Sequence, residues 1–164
     1  MHRFLTCFLA LFPLFSAAQT VWHVRATAGG ASTGLSWTDA FTDLHDALTA
    51  AQAGDAVWVA EGTYFTDTAL NRDRYFELPS GVRLLGGFAG TETSAEQRDP
   101  AAHPAVLSGN IGEPADSLDN AYCVLYLYHP DSSTVVDGLV IEHGFADKVG
   151  GSNQAPGRSG GGVF

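Results

Sequence analysis

The sequence predicts an all-β fold, a solenoid of short stacked strands with one amphipathic helix covering its N-terminal end. The chain has 164 residues, of which 19 are glycine and 16% are charged. Many glycines with few charges are typical of β structure built from short strands and turns. Several short apolar runs end close to a glycine, and a helix-like segment leads directly into the run from Ala56 to Ala60. A chain of this length is expected to bury one core of useful size.

Residues 1–18 are predicted to be a signal peptide. Arg3 supplies a positive charge, an apolar stretch follows from Phe4 to Phe15, and Ser16-Ala17-Ala18 places small residues where a signal peptidase reads. Cleavage is expected between Ala18 and Gln19, so that residues 19–164 are secreted or reach the outer cell surface. The apolar stretch is shorter than the roughly 20 residues of a spanning helix, and we expect no transmembrane segment.

Charge and cysteine content restrict the partners and the chemistry. The formal net charge of -10 at pH 7 argues against nucleic acid and anionic membranes, because both need basic patches. Loss of Cys7 with the signal peptide leaves Cys123 alone, so no disulfide is expected within the exported chain. Cys123 lies in an apolar run, which favours a buried, unreactive thiol.

The predicted elements begin with a short strand, Val21 to Val24, and continue with the helix. Ser36 and Asp39 have the spacing of a capping box, which predicts a helix start there. Apolar side chains then recur at helical spacing, at Phe41, Leu44, Leu48 and Ala51. Gly54 stands where a glycine would end the helix. The prediction is one helix of about 15 residues.

Only strands and loops are expected after the helix. The apolar runs are Ala56 to Ala60, Tyr75 to Leu78, Val82 to Leu85, Ala105 to Gly109, Tyr122 to Tyr128, and Thr134 to Ile141, the last divided by Asp137-Gly138. Asp-Gly between apolar runs is also a hairpin signal, which would give an antiparallel sandwich. A solenoid corner is preferred, because the sequence indicates bends or long loops at the other connections between strands.

Glycines suggest the repeat that a solenoid requires. Gly62, Gly87, Gly109 and Gly144 follow apolar strands at intervals of roughly 20 to 35 residues, and intervals of this size indicate stacked repeats. The first repeat of such an array needs a cover over its open end. We expect the helix to provide it, with Leu44 and Leu48 packed near the following strand; the alternative is a helix on the face of a sheet in an α+β fold.

Several blocks of residues, in one order along nearly the whole exported chain, resemble right-handed parallel β-helix proteins of the pectin-lyase-like class. The blocks are Gly34-Leu35-Ser36-Trp37, Leu44-x-x-Ala47-Leu48, Gly54 to Tyr64, Gly86-Gly87-Phe88-x-Gly90-Thr91-Glu92-Thr93, Gln97-Arg98-Asp99, Leu107 to Gly112, Val136-Asp137-Gly138 and Gly160 to Phe164. The resemblance implies that residues 19–164 are the N-terminal cap and first coils of a longer bacterial surface or secreted protein. Further coils of its own chain are then expected beyond Phe164.

The resemblance carries over no catalytic residue. Enzymes of this class use calcium-bound carboxylates with a basic residue, or a set of aspartates, on later coils, and no such set matches here. The expected function is therefore a non-catalytic scaffold, adhesin-like or glycan-binding, with a polysaccharide or a cell-surface glycan as partner. The alternative is a polysaccharide lyase or glycoside hydrolase whose catalytic coils lie beyond residue 164.

Few residues stand out as binding candidates. Tyr126 and Tyr128 share one face of their strand with Tyr122, and exposed tyrosines in a row can stack on sugars. His143 precedes a glycine and is a further candidate for a groove. Trp37 and Trp58 are expected in the lid and core instead.

No metal site is expected from the histidines, which are scattered. The run Asp116-x-x-Asp119-Asn120 supplies oxygen atoms of the kind that calcium binds. A solvated acidic loop is the ordinary interpretation of these residues, so calcium at Asp116, Asp119 and Asn120 is the weaker hypothesis.

Overall fold

The computed structural model describes residues 18–149 and 161–164. Most of the predicted signal peptide, and Gly160 of the closing glycine run, lie outside these residues. The described part forms strands, one α-helix and two short 3₁₀ turns. In chain order the elements are β1 (Val21–Val24), α1 (Leu44–Ala50), β2 (Ala56–Ala60), β3 (Gly62–Phe65), β4 (Phe76–Leu78), β5 (Arg83–Phe88), the turn Ala95–Gln97, β6 (Ala105–Ser108), the turn Ser117–Asp119, β7 (Leu125–Leu127), β8 (Val135–Asp137) and β9 (Leu139–Glu142).

The strands form three parallel sheets. The first sheet has the order β1-β2-β5-β8, the second β3-β6-β9 and the third β4-β7. Every pairing between named strands is parallel. After β1 the chain passes through the sheets in a fixed sequence, first, second, third, and then returns to the first. The predicted β-rich fold with a single α-helix is thus confirmed for the described residues.

Asp137-Gly138 forms a corner between two sheets, so the hairpin alternative was wrong. β8 pairs with β5 in the first sheet, while β9 pairs with β6 in the second. Gly138 has a φ of 71°, a conformation that glycine adopts at no steric cost. The chain changes direction here without pairing the two strands to each other.

The predicted repeat, in which glycines after apolar strands mark equivalent positions, was wrong. Gly62 pairs with Ala105 in the second sheet, whereas Gly87 lies inside β5 of the first sheet. The loops between strands differ in length, so equivalent positions do not recur at the spacing of the glycines. Strand pairing defines the repeat instead.

The main core lies where the inner faces of the three sheets meet α1. Val57 and Val59 of β2 share this core with Leu44 and Leu48 of the helix, and all four are buried. The predicted packing of the helix on the strand that follows it is therefore confirmed.

A second, smaller cluster forms on the opposite face of the first sheet. Trp58 stacks on Phe88 with ring centroids 4.7 Å apart, and Trp37 packs on both rings. The Trp37 indole donates to the Glu92 carbonyl at 2.9 Å. Because β2 packs on both faces, all five of its residues are buried.

The helix is shorter than predicted. It has seven residues and begins after Asp43, whose carboxylate accepts a hydrogen bond from the His45 amide. The Ser36 hydroxyl accepts from the Asp39 amide at 3.1 Å, as a capping box predicts, and donates to the Asp39 carboxylate at 3.2 Å, but both residues lie in a loop. Phe41 exchanges backbone hydrogen bonds with His23 and Arg25, and this pairing holds the segment before the helix extended.

This extended segment and the helix together close the N-terminal end. Phe41 bridges Val24 in parallel register, which covers the edge of β1. The Gly54 amide, expected near the helix end, donates to the Gly81 carbonyl at 2.9 Å, while Ala51 caps the helix. A paired loop thus covers the β1 edge of the first sheet, and α1 packs beside it on β1, β2 and β4.

Asp55 connects the chain before β1, β1 itself and the segment after α1 through hydrogen bonds. Its carboxylate accepts hydrogen bonds from the Thr20 and Gln52 amides and from the Trp22 indole, at 2.9, 3.0 and 3.1 Å. The side chain is buried, and burial alone would raise the pKa of Asp55. The hydrogen bonds from Gln52, Thr20 and Trp22 outweigh burial and hold the pKa below its ordinary value.

Cys123 is buried, as predicted. Its thiol donates to the Leu125 carbonyl at 3.3 Å. Burial raises the pKa of Cys123 to about 11, so the thiolate that reacts with oxidants and electrophiles is scarce at neutral pH.

Replacing Leu44 by alanine tests the helix as a cover. Leu44 is 0% exposed, and truncation of a buried leucine costs about 2–5 kcal/mol of unfolding free energy. Asp46→Ala is the control on the exposed face of the same helix, with an expected cost below about 1 kcal/mol. Urea unfolding of both variants measures the difference. Equal costs for the two changes would show that α1 is not packed on the core.

Replacing Asp55 by asparagine tests the junction at this end. The amide can accept some of the hydrogen bonds, and we expect a loss of about 1–3 kcal/mol at neutral pH. The pKa of folded Asp55 is lowered, so the stability due to the carboxylate is complete above the unfolded value of about 3.9 and is lost as pH falls through the folded value. The difference from wild type should therefore shrink below about pH 4.

Urea unfolding of wild type and Asp55→Asn between neutral pH and about pH 3 measures this trend. Asp46→Asn, in which an exposed carboxylate of α1 is changed, is the control and should follow the wild-type pH profile. A difference between wild type and Asp55→Asn that stays constant with pH would contradict the role given to the ionised carboxylate.

Candidate functional site

A cavity of about 720 Å³ lies beside the helix, at the outer face of the third sheet. Three segments of the chain form its wall: α1, the region of β4, and the residues that follow β7. The lining residues are His45, Leu48, Thr49, Tyr75, Glu77, Pro79, Ser80, Tyr128 and His129. Its volume falls within the range of small-ligand sites, and its mixed apolar and polar wall is typical of them.

Strand alternation determines which side chains face outward here. In β4, Phe76 and Leu78 are buried while Glu77 is exposed. In β7, Leu125 is buried and Tyr126, which is opposite Glu77 in the register, is half-buried. Because successive side chains of a strand point to opposite faces, Glu77 and Tyr126 stand side by side on the outer face.

Aromatic rings continue along this face as a row that we call the aromatic strip, formed by Tyr75, Tyr126, Tyr128, His129 and Phe164. Ring centroids are 5.2 Å apart for Tyr75 and Tyr126, and 6.1 Å apart for Tyr126 and Tyr128. Tyr126 also stacks on Phe164 at 5.7 Å, and Tyr128 meets His129 edge-on at 4.3 Å. Tyr128 is 53% exposed, so much of its ring is open to a ligand.

His45 is held in place on the helix side of the cavity. Its ring packs on Phe76 with centroids 4.6 Å apart, and its Nε2 donates to the Thr66 carbonyl at 2.9 Å. In the neutral imidazole this leaves Nδ1 as the acceptor. The polar atoms of His45 are thus fixed by the core and by the loop after β3.

The polar groups on the strand side are a carboxylate and a phenol. Burial raises the pKa of Tyr75, and the neighbouring Glu77 carboxylate raises it further. Tyr75 is therefore protonated at physiological pH, so its hydroxyl can donate and accept hydrogen bonds. Glu77 is exposed and presents acceptor oxygens.

His129 has an unusual backbone conformation for a residue in this wall. Its φ is 46°, in the left-handed region that few residues other than glycine adopt. Such conformations cost of order 1–3 kcal/mol and cluster at binding and catalytic sites. The turn after β7 places the His129 ring against Tyr128.

The structure brings together only some of the predicted candidates. Tyr126 and Tyr128 lie together in the aromatic strip. Tyr122 lies elsewhere, under the Arg72 guanidinium, whose carbon is 4.0 Å from the ring centroid. His143 follows β9 of the second sheet, where its Nδ1 is 3.1 Å from a Glu142 carboxylate oxygen, and it does not line the cavity.

The calcium candidates lie around the second 3₁₀ turn. The Asp116 carboxylate accepts from the Leu118 amide at 2.8 Å, and Asp119 accepts from the Glu113 amide at 2.7 Å. One carboxylate oxygen of Asp119 and the amide oxygen of Asn120 are buried and have no hydrogen-bond partner within the described ranges. Among residues 18–149 and 161–164, no group of three histidine, cysteine or acidic residues is arranged to hold a metal ion. Calcium binding here stays a prediction.

Sequence reasoning missed Tyr75, Glu77, His45 and His129. The alternation of buried and exposed residues in β4 could have placed Glu77 outward. No local signal shows that β4 pairs with β7, or that the helix lies beside this pair. The cavity is a product of that pairing.

Comparison with protein families, with curated proteins and with solved structures finds no match for this chain. In the part of the chain that is described, none of the helices combines the length and the apolar character that crossing a membrane requires.

Proposed function

We propose that this chain is part of an exported, non-catalytic scaffold that binds glycans, and that its three sheets are the first coils of a right-handed parallel β-helix. The parallel pairing of all named strands and the fixed order in which the chain visits the sheets support this architecture. Crossover connections between parallel strands are right-handed in nearly all proteins.

The observation that carries the function is the aromatic strip at the edge of the cavity. The faces of sugar rings carry C–H groups that pack on aromatic faces, while their hydroxyls need donors and acceptors around the rim. Tyr128 offers an exposed ring, and Tyr75, Glu77 and Thr49 supply polar groups in the same wall. Tyrosine suits such a site because it combines an apolar body with a polar tip.

The wall favours binding over hydrolysis. Glycoside hydrolysis generally uses two carboxyl groups that flank the scissile bond. Glu77 is the one carboxylate among the described residues of the wall. Binding requires no second acid, so the groups present are sufficient for it.

The edge formed by β8 and β9 is the place where we propose that further coils pair. Within the described ranges, each of these strands pairs with a named strand on one side only. Val136, Leu139 and Ile141 of these strands pack on the main core but are only half-buried. A further parallel strand on each would satisfy backbone groups and cover these side chains.

Substitution of Tyr128 tests glycan binding. A glycan array identifies a ligand, and isothermal titration calorimetry then measures its dissociation constant. Tyr128→Ala should weaken binding by up to about tenfold, because an aromatic contact contributes roughly 0.5–1.5 kcal/mol. Tyr128→Phe keeps the ring and should stay within about threefold of wild type.

Phe65→Ala is the matched control for this test. Phe65 is also exposed, at 46%, but it belongs to β3 and not to the cavity wall. Its removal should leave affinity unchanged. A folded Tyr128→Ala protein that binds as wild type does would contradict the proposed site.

Export is tested by the N-terminus of the protein found outside the cell. Mass spectrometry should give Gln19 as the first residue, since Ser16 and Ala18 are the small residues that a signal peptidase reads. Ala18→Phe should block cleavage and leave a precursor. Ala17→Phe changes the position between the two and should still be cleaved. An intact Met1 on the extracellular protein would exclude this cleavage.

A further inference from the structure

The charge of the cavity bears on which glycans it accepts. At pH 7, with histidine counted as neutral, the described wall holds one charged side chain, the carboxylate of Glu77. Whole-chain charge has the same sign, at -10. An anionic ligand would meet repulsion at short range from Glu77 and at longer range from the chain.

Glu77 lies next to the rings that would hold the sugar. It is opposite Tyr126 in the strand register, and it lies two residues from Tyr75 in the same wall, so that strand alternation places both side chains on the outer face. No arginine or lysine belongs to the described wall. A sugar ring seated on Tyr75 or Tyr128 therefore has a carboxylate nearby with no basic side chain to offset it.

On the basis of the proposed glycan-binding function, we propose that this cavity selects neutral glycans over polyuronates, with Glu77 as the residue that determines the selection. A neutral sugar presents hydroxyl groups, which can donate hydrogen bonds to the Glu77 carboxylate. A uronic acid places a second carboxylate in the same region, where two like charges lie close together. The aromatic strip itself does not distinguish the two, because both present the same C–H faces.

The test uses pairs of oligosaccharides that differ only at C6. Hexasaccharides of glucose and of glucuronate, and of galactose and of galacturonate, are matched in linkage and length within each pair. Titration calorimetry gives the ratio of dissociation constants in each pair. The measurement is made at about pH 8, where histidine is neutral, and at about 10 mM salt, where charges are weakly screened. The uronate should bind at least about fivefold more weakly than its neutral partner.

Glu77→Gln isolates the carboxylate, because glutamine keeps the size and polarity of the side chain. The variant should narrow the gap between the uronate and neutral affinities to the part that the net charge of the chain causes, and raising the salt should narrow the gap in wild type. Glu113→Gln is the control, an exposed carboxylate in a loop outside the wall, and should keep the wild-type ratio. A uronate that binds wild type as tightly as its neutral partner would overturn this inference, and so would an unchanged ratio in Glu77→Gln.

These outcomes are distinct from failure of the proposed function. If Tyr128→Ala weakens binding but wild type shows no preference against uronates, the glycan site stays in place and the role of Glu77 is removed. The absence of binding for both members of every pair, or binding that is unaffected by Tyr128→Ala, would overturn both proposals.

Discussion

From β2 onward, each named strand in the described part has a parallel partner that the chain reaches only after passing through the other two sheets, and this constraint organises the protein. Parallel neighbours cannot be joined by a tight hairpin, so the chain leaves the first sheet after β2 and returns to it at β5. The other two sheets are built during that passage. Their inner faces meet in a single core that also includes α1. Loops of different length are tolerated, because the pairing of the strands and not the spacing of the chain fixes the register.

Among residues 18–149 and 161–164, β8 and β9 each have a named partner on one side only, and the N-terminal end shows how such an edge is covered. Phe41 pairs with β1 through the backbone, α1 covers the apolar interior, and Asp55 binds amides from the chain on both sides of the helix. Leu48 packs in the core and also lines the cavity. The cover and the candidate site therefore share a helix, so that the position of the cavity wall depends on the stability of this end.

Strands were predictable from the sequence where apolar residues alternate or run together, and β1, β2 and the strands on either side of Asp137-Gly138 lie where expected. The helix was predicted too long, because Ser36 and Asp39 make a capping pattern that also stabilises a loop. Backbone hydrogen bonds between Phe41 and the chain at His23 and Arg25 hold the segment before the helix extended. No pattern in the neighbouring sequence indicates these bonds. Tyr126 and Tyr128 were found by alternation, whereas Tyr75 and Glu77 depend on the register between β4 and β7. That register is set across a long stretch of intervening chain.

Alternation also explains why a binding surface can lie on the third sheet without cost to the core. Phe76, Leu78 and Leu125 face inward and are fully buried, so packing restricts their size and shape. Positions between them face outward, where the fold demands only strand-compatible residues. Glu77 and Tyr126 occupy such positions, and Tyr128 extends the row beyond the end of β7. An exposed tyrosine adds little to the stability of the free protein, since its ring stays partly in water. Covering that ring with a ligand adds apolar burial that folding alone does not provide. Residues on the outer face of this sheet can therefore change without disturbing the buried side chains of Phe76, Leu78 and Leu125.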